Sequence, residues 1–120
     1  MLQVRTGNSI NPDAAAAGKE IAAQVKENLS DMKMAFVYSG VQYDQKKLLD
    51  AVKEELPGVP LIGNTSFTGV VTPEGYITGE DGFAGIMALS DADLTVGVAG
   101  MPKEGTARET GHKVAEKAMK

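Results

Sequence analysis

The chain has 120 residues, of which 42% are hydrophobic and 23% charged, a composition typical of one soluble globular domain. Its formal net charge of −4 argues against nucleic acid as a partner, and the absence of cysteine excludes disulfides, thiolate metal sites and cysteine nucleophiles. The N-terminal residues lack the apolar stretch of a signal peptide, and no run is long enough to span a membrane. We therefore expect a cytoplasmic protein without a metal or other cofactor, and without a nucleic-acid or membrane partner.

The first half of the chain predicts an alternation of strands and helices. An alanine-rich stretch has apolar residues at helical spacing, with Ile21, Val25 and Leu29 on one face. A nearly continuous apolar run is typical of a central strand that is covered on both faces. The predicted elements are a strand at Leu2–Thr6, a helix at about Pro12–Leu29, a strand at Met34–Ser39, a helix at Asp44–Leu56 and a short strand at Leu61–Ile62.

The second half predicts an antiparallel meander followed by a helix. Turn residues separate several short runs of strand-forming residues. The predicted strands are Thr68–Thr72, Gly75–Thr78, Gly82–Ser90 and Leu94–Ala99, and the helix is roughly Gly105–Met119, with Ala107, Gly111, Val114, Ala115 and Ala118 on its packed face. The expected fold class is therefore α/β in the α+β sense: a βαβαβ start, an antiparallel β-meander and a C-terminal helix, with helices packed on a mixed sheet.

A faint internal repeat links the two ends of the chain. Gly7 lies 93 residues before Gly100, and Gly18 lies the same distance before Gly111. Each pair marks a strand, a glycine turn and a helix with small residues, although two small-residue helices can also resemble each other by chance. A genuine repeat would leave the second copy without the elements that follow the first. We then expect residues 1–120 to form a single domain that is incomplete at its C-terminus or completed by another chain.

Polar residues follow three of the predicted strands. If these strands run parallel, their carboxyl ends meet at one edge of the sheet, where open α/β sheets bind ligands. Each loop can alternatively be a turn or a helix cap whose side chains bond their own backbone. The candidate ligand-binding residues are Gly63, Asn64, Thr65 and Ser66 on the floor of the pocket, with Thr6, Asn8 and Ser39 on its rim.

Catalysis has less support than binding. Thr65 or Ser66 would act as a nucleophile only with a general base close by. The sole histidine is His112, for which a solvent-facing position on the last helix is the simpler interpretation. The acidic pair Glu80-Asp81 lies in a turn, where adjacent carboxylates are usually solvated. We therefore predict no catalytic residue and no metal ligand.

The densest motif of the chain resembles a known family. It runs Leu56-Pro57-Gly58-Val59-Pro60-Leu61-Ile62-Gly63-Asn64-Thr65-Ser66-Phe67-Thr68-Gly69, after Phe36-Val37-Tyr38-Ser39 and before Gly85-Ile86-Met87-Ala88-Leu89. This order resembles the N-terminal part of the FIST domain family, intracellular sensory domains of signalling proteins. Many members have cysteine or serine where this chain has Asn64, and members usually continue into a second half.

The resemblance implies a noncatalytic sensory domain for signal transduction. Its partner would be a small molecule, such as an amino acid or another small carboxylate, together with a signalling partner domain. An alternative is a self-assembling interaction module that forms a homo-oligomer through a sheet edge and binds no ligand. A third hypothesis is a small hydrolase that uses Thr65 or Ser66.

Overall fold

The computed structural model describes all 120 residues as three helices and six strands. The elements in chain order are β1 (Gln3–Ser9), α1 (Ala14–Asn28), β2 (Met34–Ser39), α2 (Gln45–Glu55), β3 (Leu61–Thr65), β4 (Val70–Thr72), β5 (Gly75–Ile77), β6 (Ala84–Ser90) and α3 (Ala107–Ala118). The predicted fold class, with helices, a mixed sheet and a C-terminal helix, is confirmed. None of the helices is long and apolar enough to cross a membrane.

Four strands form the main sheet in the order β1-β6-β2-β3. β6 is antiparallel to both of its neighbours, and β2 and β3 pair in parallel. β1, β2 and β3 therefore point in one direction, so their carboxyl ends share one edge of the sheet. β4 and β5 form a separate two-stranded antiparallel hairpin.

The core lies between the main sheet and the two helices α1 and α2. Asp13 and Asp44 cap these helices, because their carboxylates accept backbone N–H groups of the first turns. The buried side of α1 consists largely of small residues, which lets the helix approach both the sheet and α2 closely. The core residues of the sheet include Ala35, Val37 and Ile86.

The two edges of the main sheet differ. At the β1 edge, the side-chain amide of Gln24 donates to the Asn8 carbonyl oxygen and accepts from the Asn8 N–H, both at 2.9 Å. This amide takes the place of a neighbouring strand at that position. The opposite edge, formed by β3, is paired with no further strand.

The predicted meander forms only in part. The β4–β5 hairpin is present, but β6 inserts between β1 and β2 instead of continuing beside β5. The strand predicted at Leu94–Ala99 is wrong, because this segment has no partner in a ladder. The first and third strands also run further than predicted, to Ser9 and Thr65.

Helix α3 forms close to its predicted position but does not pack as predicted. None of its residues is fully buried: of the expected packed face, Val114 and Ala118 are half-buried, whereas Ala107, Gly111 and Ala115 are exposed. A capping box stabilises its start: Thr106 accepts from the Glu109 N–H, and the Glu109 carboxylate accepts from the Thr106 N–H. Local hydrogen bonds at its first turn therefore stabilise this helix, and burial in the core does not.

Candidate functional site

A cavity of about 490 Å³ opens between α2, β2, β3 and the segment that precedes α3. Its size lies within the range of small-molecule sites in proteins. The lining residues are Val37, Ser39, Gln45, Leu48, Leu49, Lys53, Leu61, Ile62, Gly63, Asn64, Thr65, Val98, Ala99 and Gly100. The cavity thus joins the carboxyl ends of two parallel strands to one face of a helix.

One face of α2 supplies the wall of the cavity. Gln45, Leu49 and Lys53 are spaced four residues apart, so their side chains form one row along the helix. Leu48 packs into the core beside this row. Lys53 is the only charged residue that lines the cavity, and it forms no ion pair. The wall is therefore apolar with one positive charge.

The inner floor of the cavity is a closed hydrogen-bond network. Ser39 is 2% exposed, and its hydroxyl donates to Gln45 Oε1 at 2.8 Å. Gln45 Nε2 donates to the carbonyl oxygens of Gly40 at 3.0 Å and Tyr43 at 3.1 Å. Because these groups already bond one another, Ser39 and Gln45 position the loop after β2 and offer little hydrogen-bonding capacity to a ligand.

The outer floor of the cavity carries free polar groups. Asn64 and Thr65 are exposed at the end of β3, and their side chains form no hydrogen bond within the protein. Thr65 lies on the same face of the sheet as its ladder partner Ser39, whereas Asn64 lies on the opposite face, at the edge of the cavity. Gly63 has no room for a β-carbon, because the backbone of Val37 occupies that space. The close approach of β2 at Gly63 holds the backbone of β3 beside the cavity.

The remaining predicted site residues do not line this cavity. The Ser66 hydroxyl donates to the Gly69 carbonyl oxygen at 2.5 Å, and its N–H donates to the Ser39 carbonyl oxygen at 2.7 Å. Thr6 and Asn8 lie within β1, at the other edge of the sheet, and the Asn8 amide contacts Glu74 at 3.4 Å. The structure thus brings together Gly63, Asn64, Thr65 and Ser39, and places Thr6, Asn8 and Ser66 outside the cavity.

A second polar cluster fastens the end of β1 to α1. The Glu20 carboxylate accepts from Ser9 Oγ at 2.5 Å and from Asn11 Nδ2 at 2.9 Å. These two bonds, that of Ser9 foremost, lower the pKa of Glu20. The Tyr43 hydroxyl donates to the Asn11 carbonyl oxygen at 2.6 Å. Burial raises the pKa of Tyr43, with a further contribution from the negative charges of Glu20 and Asp13. The cluster is internally satisfied, so its role is structural.

The polar groups that line the cavity are hydroxyl, amide and ammonium groups. No histidine or carboxylate lines it, so the Thr65 hydroxyl has no general base beside it. His112 lies on α3, where it is exposed and faces Glu116 at 3.3 Å. The arrangement of one cation, an apolar wall and unpaired amide and hydroxyl groups suits a small molecule with an anionic end and an aliphatic body.

The sequence interpretation missed Lys53 and the segment around Val98. The row Gln45, Leu49 and Lys53 could have indicated that a lysine shares the apolar side of α2. No local pattern indicated that Val98–Gly100 would lie at the cavity, since that contact joins distant parts of the chain.

The part of the chain that contains the cavity matches a known protein family. A family model described as the FIST N domain matches residues 33–120, which include every residue that lines the cavity. Thr6 and Asn8 precede the matched range. No curated protein matches the chain.

Proposed function

The chain belongs to the FIST family of sensory signal-transduction domains, and we propose that it senses a small carboxylate bound in the cavity between α2 and β3. Amino acids are one class of such carboxylates. The proposal keeps Gly63, Asn64 and Thr65 as binding residues and adds Lys53. Thr6, Asn8 and Ser66, which lie outside the cavity, contribute to the fold around it.

The observation that carries the proposal is the lone charge of Lys53. It is the single ionic group among the cavity residues; it is exposed and forms no ion pair, although the pKa of Asp50, which the hydrogen bond from Lys46 lowers, is lowered further by the charge of Lys53. An anionic ligand would supply the missing partner through a charge-assisted hydrogen bond. Leu49 and Leu61 would cover the aliphatic body of the ligand, and Asn64 and Thr65 would add polar contacts at its other end.

The cavity favours a plain carboxylate over a zwitterion. A bound amino acid would bring an ammonium group, and no acidic side chain lines the cavity to receive it. Backbone carbonyl oxygens and the Asn64 amide oxygen would be its acceptors. We therefore expect isocaproate, a branched aliphatic acid, to bind at least as well as leucine.

Thermal unfolding tests the proposal directly. A ligand that binds the folded state alone stabilises it by about 2.7 kcal/mol at a hundredfold excess over Kd. For a domain of this size that corresponds to a rise in Tm of roughly 10 °C. We expect isocaproate and leucine to raise Tm and the neutral isocaproamide to have a much smaller effect. No shift with any carboxylate would contradict the proposal.

Variants at the cavity assign the effect to this site. Thr65→Val removes a hydroxyl that bonds nothing else in the protein, so we expect weaker binding with little loss of stability. The matched control is Thr68→Val, which changes an exposed threonine that does not line the cavity. An equal response of the two variants to isocaproate would place the binding elsewhere.

A second candidate function is self-assembly through the open edge of β3. The observation that favours it is the asymmetry of the sheet, because Gln24 covers part of the β1 edge while no further strand pairs with β3. Edge strands of this kind pair with strands of other chains. Sedimentation velocity over a concentration series tests it: a concentration-dependent dimer supports assembly, and a monomer throughout contradicts it.

A further inference from the structure

The segment Leu94–Gly100, termed the strap, has the pattern of a strand without the bonds of one. Along it, the half-buried residues Leu94, Val96 and Val98 alternate with the exposed Thr95 and Gly97. This period of two is typical of a strand with one face covered. The strap nevertheless belongs to neither sheet, and the backbone from Thr95 to Gly100 forms no backbone hydrogen bond.

The open edge of β3 has matching unpaired groups. The Ala35 N–H donates to the Pro60 carbonyl oxygen, and the Ser66 N–H donates to the Ser39 carbonyl oxygen. A strand bonds a parallel neighbour through the backbone groups of alternate residues. The backbone N–H and carbonyl groups of the even-numbered residues of β3 therefore point toward β2. The N–H and carbonyl groups of Leu61, Gly63 and Thr65 therefore point away from the sheet.

The strap lies within reach of this edge. β6 ends at Ser90, at the side of the sheet where β1 begins, as the ion pair between the Met1 amino group and Asp91 at 3.7 Å shows. From there the chain must pass three strand spacings, about 14 Å, to reach a position outside β3. The four Cα steps from Ser90 to Leu94 span about 14 Å when fully extended. In the open form the Leu94 N–H donates to the Asp91 carbonyl oxygen at 3.1 Å, so closure requires this turn to open. A strand that begins at Leu94 would then run parallel to β3. Val98, Ala99 and Gly100 already line the same cavity as β3.

The strap is also tied to α3. The backbone at Gly97 packs against the carbonyl group of Ala118, which leaves no space for a β-carbon. Lys117 Nζ donates to the Gly100 carbonyl oxygen at 3.2 Å. No residue of α3 is fully buried, so its contacts with the strap are among the few that hold it.

We propose that a carboxylate in the cavity closes the strap onto β3 as a fifth, parallel strand, and that α3 moves with it. The proposal rests on the proposed function and adds how the signal leaves the site: ligand binding in the cavity changes the position of α3. The ligand favours the closed form because the strap covers its aliphatic body and the β3 edge gains backbone hydrogen bonds. Closure also occupies the edge that self-assembly would use.

Amide hydrogen exchange, measured by NMR on the full chain with isocaproate as the probe, tests the closure. Without the probe, the amides of Gly63 and Thr65 and those of the strap are expected to exchange rapidly. At saturation, we expect exchange at Gly63, at Thr65 and at alternate strap residues to slow at least about tenfold, an apparent stabilisation of about 1.4 kcal/mol. Binding with unchanged exchange at these amides would overturn the strap proposal and leave the proposed function intact.

Two proline variants provide an internal control. In a paired strand, alternate N–H groups point toward the neighbouring strand. One of the two substitutions Thr95→Pro and Val96→Pro would therefore remove a hydrogen bond to β3, and the other would remove an N–H that points to solvent. We expect one variant to bind isocaproate more weakly and to lose the protection of Gly63 and Thr65. The other variant should keep both properties. Equal behaviour of the two variants would contradict strand pairing, and no binding of isocaproate to the unmodified chain would overturn this proposal together with the proposed function.

Discussion

The carbonyl group of Val37 on β2 occupies the space that a β-carbon of Gly63 on β3 would need. These two residues are direct partners in the parallel ladder. The glycine therefore lets the two strands approach each other at the middle of the cavity floor. This contact explains why the strand continues through Gly63, where the sequence predicted a stop.

The first prediction concerns this contact. We expect Gly63→Ala to lower the free energy of unfolding by about 1–3 kcal/mol, because the added methyl group must push two backbones apart. The matched control is Gly100→Ala, since Gly100 also lines the cavity but has open space around it. Urea unfolding monitored by circular dichroism measures both. Equal stability of the two variants would contradict the close contact.

The second prediction concerns the charge of the cavity. We expect Lys53→Met to weaken isocaproate binding about tenfold, or about 1.4 kcal/mol, and to leave isocaproamide binding nearly unchanged, because only the acid has a charge to pair. Lys47→Met, on the same helix but outside the cavity, is the control. Isothermal titration calorimetry gives the affinities. A similar loss for the acid and the amide would exclude a specific role of the charge.

The third prediction concerns whether Gln45 and Ser39, on the inner floor of the cavity, stabilise the fold or contact the ligand. Gln45→Leu leaves the buried Ser39 hydroxyl and two backbone carbonyl groups without partners, so we expect a loss of about 2 kcal/mol in unfolding free energy. Gln42→Leu, at an exposed position nearby, is expected to change stability little. Ser39→Ala should leave isocaproate affinity within about twofold, because its hydroxyl is already engaged. A tenfold loss would make Ser39 a ligand contact.

The fourth prediction is a pH dependence at the end of β1. Hydrogen bonds from Ser9 and Asn11 lower the pKa of Glu20 below 4.5, so its carboxylate stabilises the fold above that pH. This contribution is lost as the pH falls through the lowered pKa. We expect Glu20→Gln to lower Tm near neutral pH and to have a smaller effect at about pH 3. Glu27→Gln, on the exposed side of α1, is the control. An effect of Glu20→Gln that stays constant with pH would contradict the prediction.

Local sequence patterns predicted the helices and the family well. The apolar rows of α1 and α2 gave helices close to those of the structure. The motif around Gly63 correctly indicated the FIST family. These features depend on neighbours within a few residues, which is the range over which propensity and periodicity act.

Relationships between distant segments were not predictable in the same way. The position of β6 between β1 and β2 depends on long-range pairing, which no local pattern encodes. The strand predicted at Leu94–Ala99 does not form, because the local pattern could not show whether another strand pairs with this segment. Thr6 and Asn8 were grouped with Thr65 from the direction of the strands, whereas β6 and β2 separate β1 from β3.

An NMR titration of the full chain with isocaproate tests the central claim most directly, because each backbone amide reports separately. We expect saturable shifts at Leu61–Thr65, along α2 around Lys53 and at Val98–Gly100, with one common Kd. Shifts that do not saturate, or saturable shifts confined to β1 around Thr6 and Asn8, would contradict a carboxylate site between α2 and β3.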